Sequence, residues 1–443
     1  MIEHYIGKTI NCSCGKIHTG KVEKIVIKKD CVKNELVKYL KENNLKKITL
    51  VCDKKGYEVA GKDVESVLLK NDFTIKTHMF TSDALVPDEW AIGNLILGCM
   101  PDSDLFLSVG SGVISDLTRQ VSAVKGLPFI TVGTAPSMDG YISGVSPLIY
   151  NGLKLTFETH PPKAVFFEPE ILANSPTDMI SAGVGDLLGK ISCLNDWKLS
   201  KIINDEWHCE FISDIVEKAV EKTLIAKDGI INKDDTAIAT LLEALLLSGI
   251  CMDFAGNSRP ASGCEHHMSH FWEMRYIIEN RPAVFHGTKV GIGTVISLKA
   301  YEYISALKPD FDKIATISRP SYDEWEKAIK KAFSKASDEI IDLEKKAQKN
   351  GLKQVNERLV TIKERWNDIQ KLANNVLRAD EVKDFLQKLD APVYPHQIGV
   401  DKQMAKEAIL YAKEIRNRYT VLQLLYDLGE LENFTDMVIE EYY

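Results

Sequence analysis

The chain has 443 residues, of which 45% are hydrophobic and 27% charged, and carries a net charge of −8 at neutral pH. That length buries a large core and suggests roughly two or three domains, so folding requires no disulfide framework. The acidic balance argues against a general nucleic-acid binder, and no run approaches the roughly 18 apolar residues that cross a bilayer. The start, Met1-Ile2-Glu3-His4, lacks the basic-then-apolar pattern of a secretion signal, and the nine cysteines are scattered and odd in number. A cytoplasmic protein with reduced thiols is expected.

Taken in chain order, the first unusual stretch is Cys12-Ser-Cys-Gly-Lys-Ile-His18. Cys-x-Cys with a nearby His is able to hold zinc, but no second Cys pair follows at finger spacing, and a small β-turn is expected. Short β-branched runs at 22–27, 47–52, 105–109 and 129–132 read as strands. Between them, 32–43, 59–70 and 88–99 carry apolar residues at helical spacing. The alternation predicts a Rossmann-like parallel sheet with helices on both faces. Asn151-Gly152, between apolar runs at 146–150 and 153–157, predicts a hairpin. From about Pro176 onward only helical patterns remain, broken near Pro260, Pro282, Pro309, Pro320 and Pro392. The fold class expected is therefore α/β plus all-α. An α/β nucleotide-binding domain at 1–172 precedes an all-helical domain at 173–443. The apolar stretch 241–254 contains Glu243 and Asp253 and reads as a buried core helix; the charged stretch 322–371 reads as a pair of solvated helices.

Two segments of the first half suit a dinucleotide. The strand at 105–109 runs into Gly110-Ser111-Gly112, and Ser115-Asp116-Leu117-Thr118-Arg119 then begins a helix. Glycines let the backbone approach a pyrophosphate, and a helix N-terminus offers N–H groups and partial positive charge. The third glycine of the dinucleotide fingerprint is absent, with Ser115 in its place, so a plain strand-helix turn remains an equal reading. Asp53 closes another strand, where an acid either binds ribose hydroxyls or caps a helix. The next segment, Thr131-Val-Gly-Thr-Ala-Pro-Ser-Met-Asp-Gly140, also leaves a strand end. Thr134, Ser137, Asp139 and Ser143 are candidates to face the crevice at the strands' carboxyl ends.

The second half carries metal-ligand chemistry. Asp186 lies in an apolar helical pattern between Gly183, Gly185 and Gly189, where an unpaired carboxylate is costly and calls for a cation. His266 and His270 are four apart in Ser262-Gly-Cys-Glu-His-His-Met-Ser-His270, hence on one helix face. His286 starts another apolar helix. One carboxylate with two imidazoles suits zinc, nickel, iron or a similar divalent ion. Glu265-His266-His267 is not the zinc-protease signature, whose Glu follows the first His.

These motifs, with Ser258-Arg-Pro-Ala-Ser-Gly-Cys-Glu-His-His267 and His286-Gly287, occur in an order that resembles the glycerol-1-phosphate dehydrogenases, specifically the bacterial branch found near arabinose operons. That branch belongs to the glycerol dehydrogenase and iron-containing alcohol dehydrogenase superfamily, which also includes dehydroquinate synthases. The resemblance covers about 53–289; beyond about 310 the chain matches only in being helical. One departure is Cys264, where relatives often have Ser or Ala; the side chain remains small.

The resemblance implies that Asp53, Gly110, Ser111, Gly112, Asp116, Thr134, Ser137 and Ser143 bind NAD(H) or NADP(H). It implies that Asp186, His266 and His286 hold one divalent metal ion, and that Asp139, Asp186 and His270 contact the substrate. Asp186 and His270 are then the catalytic pair, with His270 relaying a proton or orienting the substrate while a ketone is reduced. Asp53 favours NADH, since a carboxylate repels a 2′-phosphate. A phosphorylated polyol further requires cationic donors, for which Lys154 and Arg259 are the candidates. A homo-oligomer is expected. The competing readings are a glycerol dehydrogenase acting on the unphosphorylated polyol, a sugar-phosphate cyclase, which usually has Glu where Asp186 stands, and a non-catalytic metal-binding protein.

Overall fold

The computed structural model describes residues 2–82 and 84–443. They form two compact units, one running up to Gly183 and including Asp214–Asn257, the other formed by Val184–Ser213 and Ser258–Tyr443.

The first unit is built on six parallel strands. In chain order its strands are β1 (Thr9–Asn11), β2 (Ile17–Thr19), β3 (Lys24–Ile27), β4 (Lys47–Asp53), β5 (Thr74–Phe80), β6 (Leu105–Gly110), β7 (Phe129–Gly133), β8 (Val145–Tyr150), β9 (Leu153–Glu158) and β10 (Ala164–Phe167). The sheet order is β3-β10-β7-β6-β4-β5, with β1-β2 and β8-β9 as separate antiparallel hairpins. β6 and β7 are buried along their whole length, as expected of central strands covered on both faces. Parallel register brings the strand ends level, with Asp53 beside Phe80 and Gly110 beside Gly133. The sheet's carboxyl edge therefore carries the loops that sequence reading marked for a ligand.

Two strands of the six-stranded sheet were not foreseen. β5 is an edge strand whose residues are mostly exposed or half-buried, so it lacks a long apolar run. β10 is only four residues, yet it pairs with both β3 and β7. The expected hairpin is present: Asn151 and Gly152 both take positive φ, 52° and 72°, in the two-residue turn joining Tyr150 to Leu153.

Helices that position the site are α1 (Gly112–Lys125), α2 (Thr177–Asn204), α3 (Asp235–Ala255), α4 (Cys264–Ile278), α5 (His286–Ala306) and α6 (Val421–Leu428). The sequence boundary at 172 follows the last strand, whereas the first compact unit runs on to Gly183 and takes back 214–257. The reason is α3, which is apolar on all sides and packs against Pro169–Ala173, the turn Gly140–Ile142 and β2. Among the described residues α3 alone is long and apolar enough to cross a membrane, and 72% of its most apolar window is buried inside the protein.

The second unit is helical, and no strand is found after Phe167 among the described residues. The charged stretch expected as two helices forms four, Tyr322–Phe333, Ser337–Ala347, Leu352–Glu364 and Trp366–Asn374. Ser334 and Gln348, each with φ of 49°, supply the first two breaks. Nor is this stretch wholly solvated: Arg358 forms a buried bidentate pair with Asp427 at 2.6 and 2.8 Å. Asp196 on α2 ties the unit's parts together. Its carboxylate accepts from Cys264 N (2.8 Å), Tyr301 Oη (2.7 Å) and Val421 N (2.8 Å), fixing the starts of α4 and α6.

Candidate active site

In the second unit α2, α4 and α5 bring Asp186, His266 and His286 together, with ligand atoms all within 4.8 Å of one another. Gly185 permits this approach: a Cβ there would lie 2.3 Å from Gly287 O, so only glycine lets α2 meet the first turn of α5. Asp186 is fully buried. Its Oδ1 accepts from Lys190 Nζ at 2.8 Å and lies 3.5 Å from His266 Nε2. Burial alone would raise the Asp186 carboxyl. The Lys190 charge, the His266 hydrogen bond and the nearby His286 outweigh it and hold the group well below the usual carboxylate range.

The second layer of contacts orients the ring. His266 Nδ1–H donates to Glu265 Oε1 at 2.7 Å, which turns Nε2 towards Asp186 Oδ1 at 3.5 Å. Glu265 is itself fixed by Gly263 N (2.7 Å) and Ser192 Oγ (2.5 Å). Burial would lower His266, but hydrogen bonds to Asp186 and Glu265 raise it. Acids that attract a proton to this ring attract a metal cation equally, and a carboxylate behind a ligating imidazole is the usual support of a metal site. The donor set, one carboxylate oxygen and two imidazole nitrogens, fits a divalent ion.

His270, one turn along α4, shares this neighbourhood. Its ring centroid lies 6.2 Å from that of His266 and 5.7 Å from that of His286. Glu273 Oε2 stands 3.5 Å from His270 Nδ1, and Lys289 Nζ lies 3.4 Å from Glu273 Oε1. Sequence reading missed Lys190, Glu265 and Glu273 as parts of the site. Their signals were present as the Asp186–Lys190 spacing of one helical turn and as acids adjacent to, or three residues from, the histidines.

Arg259 is buried and already engaged. It makes a bidentate contact with Glu206 (3.0 and 2.9 Å) and donates to the carbonyls of Asp196 and Tyr419. These contacts through Nε and Nη2 tie Arg259 into the second unit's own polar network.

In the first unit the strand-end loops converge on α1. Ser111 occupies its N-cap position without turning its hydroxyl onto the helix, which leaves the first-turn N–H groups to other acceptors. Thr134 N donates to Gly110 O at 3.1 Å, joining the two loops. Asp116 is buried and bound to Arg119 (2.6 Å). Arg119 also donates to the carbonyls of Gly140 (2.6 Å) and Val145 (2.9 Å). Asp116 thus acts on the 134–145 loop through Arg119. Burial lifts its carboxyl to about 6 against the pull of Arg119 and Lys154.

Asp139 Oδ2 accepts from Ser248 Oγ on α3 (3.0 Å), and Ser143 Oγ accepts from Val145 N (3.1 Å). Ser137 is buried and Thr134 half-buried. Lys154 sits half-buried on β9. Asp53 Oδ1 accepts from Gly56 N at 2.6 Å, so one of its oxygens caps the helical turn that follows β4.

Comparison with known proteins gives a consistent result. Residues 26–176 match the iron-containing alcohol dehydrogenase family. A glycerol-1-phosphate dehydrogenase (NAD(P)+) of Bacillus licheniformis is 31% identical over 96% of this chain and 95% of its own length. Another, of Halalkalibacterium halodurans, is 37% identical over 66% of this chain and 74% of its own length. Among solved structures, glycerol dehydrogenase from Schizosaccharomyces pombe superposes with a TM-score of 0.60 at 14% identity, covering 95% of this chain and 91% of that one, and shares the fold. Identity of this extent, running nearly end to end, places the chain in the glycerol-1-phosphate dehydrogenase family of the iron-containing alcohol dehydrogenases.

Proposed function

We propose that the protein transfers hydride between NAD(P)H and dihydroxyacetone phosphate to give glycerol 1-phosphate, using one divalent metal ion. The observation that carries this reading is the Asp186, His266 and His286 cluster, in a chain whose relatives bear that activity in their names. Those three residues would hold zinc, nickel or iron. When bound, the metal polarises a substrate carbonyl and the reduced nicotinamide supplies hydride.

The chain's own groups do the rest. Glu265 keeps the His266 tautomer fixed, and Lys190 offsets the buried charge of Asp186. His270, backed by Glu273, would move the proton at the substrate oxygen. Gly110, Ser111 and Gly112, with the N–H groups that open α1, would take the dinucleotide pyrophosphate. Thr134, Ser137 and Ser143 would line the rest of the cofactor. Asp116 supports that loop through Arg119. The Asp53 oxygen not used in capping is available to a ribose hydroxyl, which favours NADH. Asp139 and Lys154 are the first unit's candidates for substrate contact.

The test compares dihydroxyacetone phosphate with dihydroxyacetone, each with NADH and NADPH. A charge-assisted phosphate contact of roughly 1.5–3 kcal/mol gives the phosphate ester an advantage of about 10- to 150-fold in kcat/KM. Lys154→Ala should raise KM for the phosphate ester and leave the unphosphorylated ketone nearly unchanged. Equal efficiency of the two substrates with wild-type enzyme would replace this reading by a glycerol dehydrogenase.

A further inference from the structure

The hairpin β1-β2 carries the cysteine and histidine motif that the oxidoreductase reading leaves unused. Its loop is tight: Cys12 N donates to Lys16 O and Gly15 N to Cys12 O, both at 3.1 Å. Gly15 has a φ of +84°, a conformation that L side chains rarely adopt. This turn folds Cys14 back so that its N–H faces Cys12 Sγ at 3.5 Å. It also sets Cys14 Sγ 3.3 Å from His18 Nε2 on β2. The three ligand atoms, Cys12 Sγ, Cys14 Sγ and a His18 ring nitrogen, lie within 4.8 Å of one another.

His18 is prepared for this arrangement. It is fully buried, and its Nδ1–H donates to Phe254 O at 2.8 Å. Its ring stacks on Phe254 with centroids 5.6 Å apart and an interplanar angle of 29°. The backbone acceptor fixes the tautomer and leaves Nε2 with its lone pair towards the sulfurs, as for a metal-bound imidazole. Tetrahedral zinc with Zn–S of about 2.3 Å and Zn–N of about 2.0 Å sets sulfur and nitrogen about 3.5 Å apart, close to the Cys14–His18 separation. Both cysteines are half-buried and in no disulfide, so both sulfurs can serve as metal ligands.

We propose that Cys12, Cys14 and His18 form a second metal site, for zinc or another thiophilic divalent ion, distinct in chemistry from the carboxylate-imidazole cluster of the second unit. Such an ion cross-links the hairpin loop to β2, and through His18 to the end of α3. Binding displaces the two thiol protons onto solvent, so uptake releases protons and strengthens as pH rises. The role is to hold the hairpin, and the turnover of dihydroxyacetone phosphate does not pass through it.

The experiment is elemental analysis of full-length protein purified from zinc-supplemented cells, coupled to cobalt replacement. Wild type should hold two metal equivalents per chain, and Cys12→Ser/Cys14→Ser and His266→Ala one each. The serine double variant should retain wild-type kcat and lose thermal stability on the scale of a metal-free wild type. With cobalt, wild type and His266→Ala should show thiolate-to-cobalt charge-transfer absorption, which the Asp186, His266 and His286 donors cannot produce and which the serine variant lacks. If the serine variant does not fold, wild type alone decides: absence of that absorption at saturating cobalt overturns the proposal, as does a single equivalent that His266→Ala removes completely. Inactivity of a chain that still shows the thiolate band would count against the dehydrogenase reading and leave this site standing.

Discussion

Two buried carboxylates, one in each unit, sit about one helical turn from a buried cation and have opposite proton affinities. Asp116 faces Arg119 at 2.6 Å, and Asp186 faces Lys190 at 2.8 Å. Arg119 divides its donors between Asp116 and the carbonyls of Gly140 and Val145, and burial lifts Asp116 to about 6. Asp186 has Lys190 and two imidazoles around it, and stays well below the carboxylate range although fully buried. One acid with one shared cation is a clamp on a loop. One acid ringed by several nitrogens is a place for a cation. Similar spacing in sequence thus gives architecture in one helix and a ligand set in another, and the neighbours on other elements decide which.

The largest expected effect is at Asp186 and its imidazoles. Asp186→Asn or His266→Ala should remove the bound metal and lower kcat/KM by at least about 100-fold, with circular dichroism unchanged. Asp116→Asn should leave metal content at the wild-type level. Full metal occupancy in the His266 variant, by elemental analysis, would show that the cluster is an ordinary buried polar network.

The next effect is on stability. Arg119→Met leaves the Asp116 carboxylate buried without its cation, which costs about 3–5 kcal/mol. Asp116→Asn/Arg119→Met should recover a large part of that loss, because both charges are then gone. Urea midpoints of the two single variants and the double variant measure the coupling. Simple additivity of the single effects would show that Arg119 matters for its carbonyl contacts alone. Arg119→Met should also raise KM for the nicotinamide cofactor, since the 134–145 loop loses its anchor to α1.

How much of this was legible in the sequence depends on whether a signal was local. The strands β4, β6 and β7 were readable because central parallel strands are continuous apolar runs, and the edge strand β3 because its short run is rich in β-branched residues. The edge strand β5 was not, since half its residues face outward. The Asn151-Gly152 turn carries its conformation in two residues. The charged stretch 322–371 hid four helices because the breaks at Ser334 and Arg365 use residues that give no Gly or Pro signal, whereas the one at Gln348 is followed by Asn350-Gly351, a turn signal that the reading passed over. At the candidate site the ligand types stood out because Asp186 interrupts an apolar face, and the structure does bring it to His266 and His286. The supporting groups were invisible in role. Glu265 has no assigned role until Ser192 and Gly263 are placed on it. Arg259 stood as a candidate phosphate anchor or an ion-pair residue, and its partner Glu206, 53 residues away in the chain, carried no local signal.

The smallest effect, and the sharpest for the comparison, is on pH dependence. The folded-state value for Asp116 is about 6, above the ordinary 3.8, because burial disfavours its charge. The folded protein therefore binds this proton more tightly than the unfolded chain does. The resulting stabilisation is complete below 3.8 and is lost as pH rises through about 6. Asn at this position stays neutral throughout, so Asp116→Asn should gain stability relative to wild type as pH rises from about 4 to 7.5, on the order of 3 kcal/mol at most. Arg119 stays charged over this range and adds only a constant offset. Asp186 has the opposite sign: its stabilisation is lost as pH falls through its depressed value, which lies below this window. Urea unfolding of metal-free wild type and Asp116→Asn across the window reads the difference directly. A gap that stays constant, or that narrows as pH rises, would mean that Arg119 holds Asp116 ionised as firmly as Lys190 and the imidazoles hold Asp186, and the contrast between clamp and ligand set would then have to rest on geometry alone.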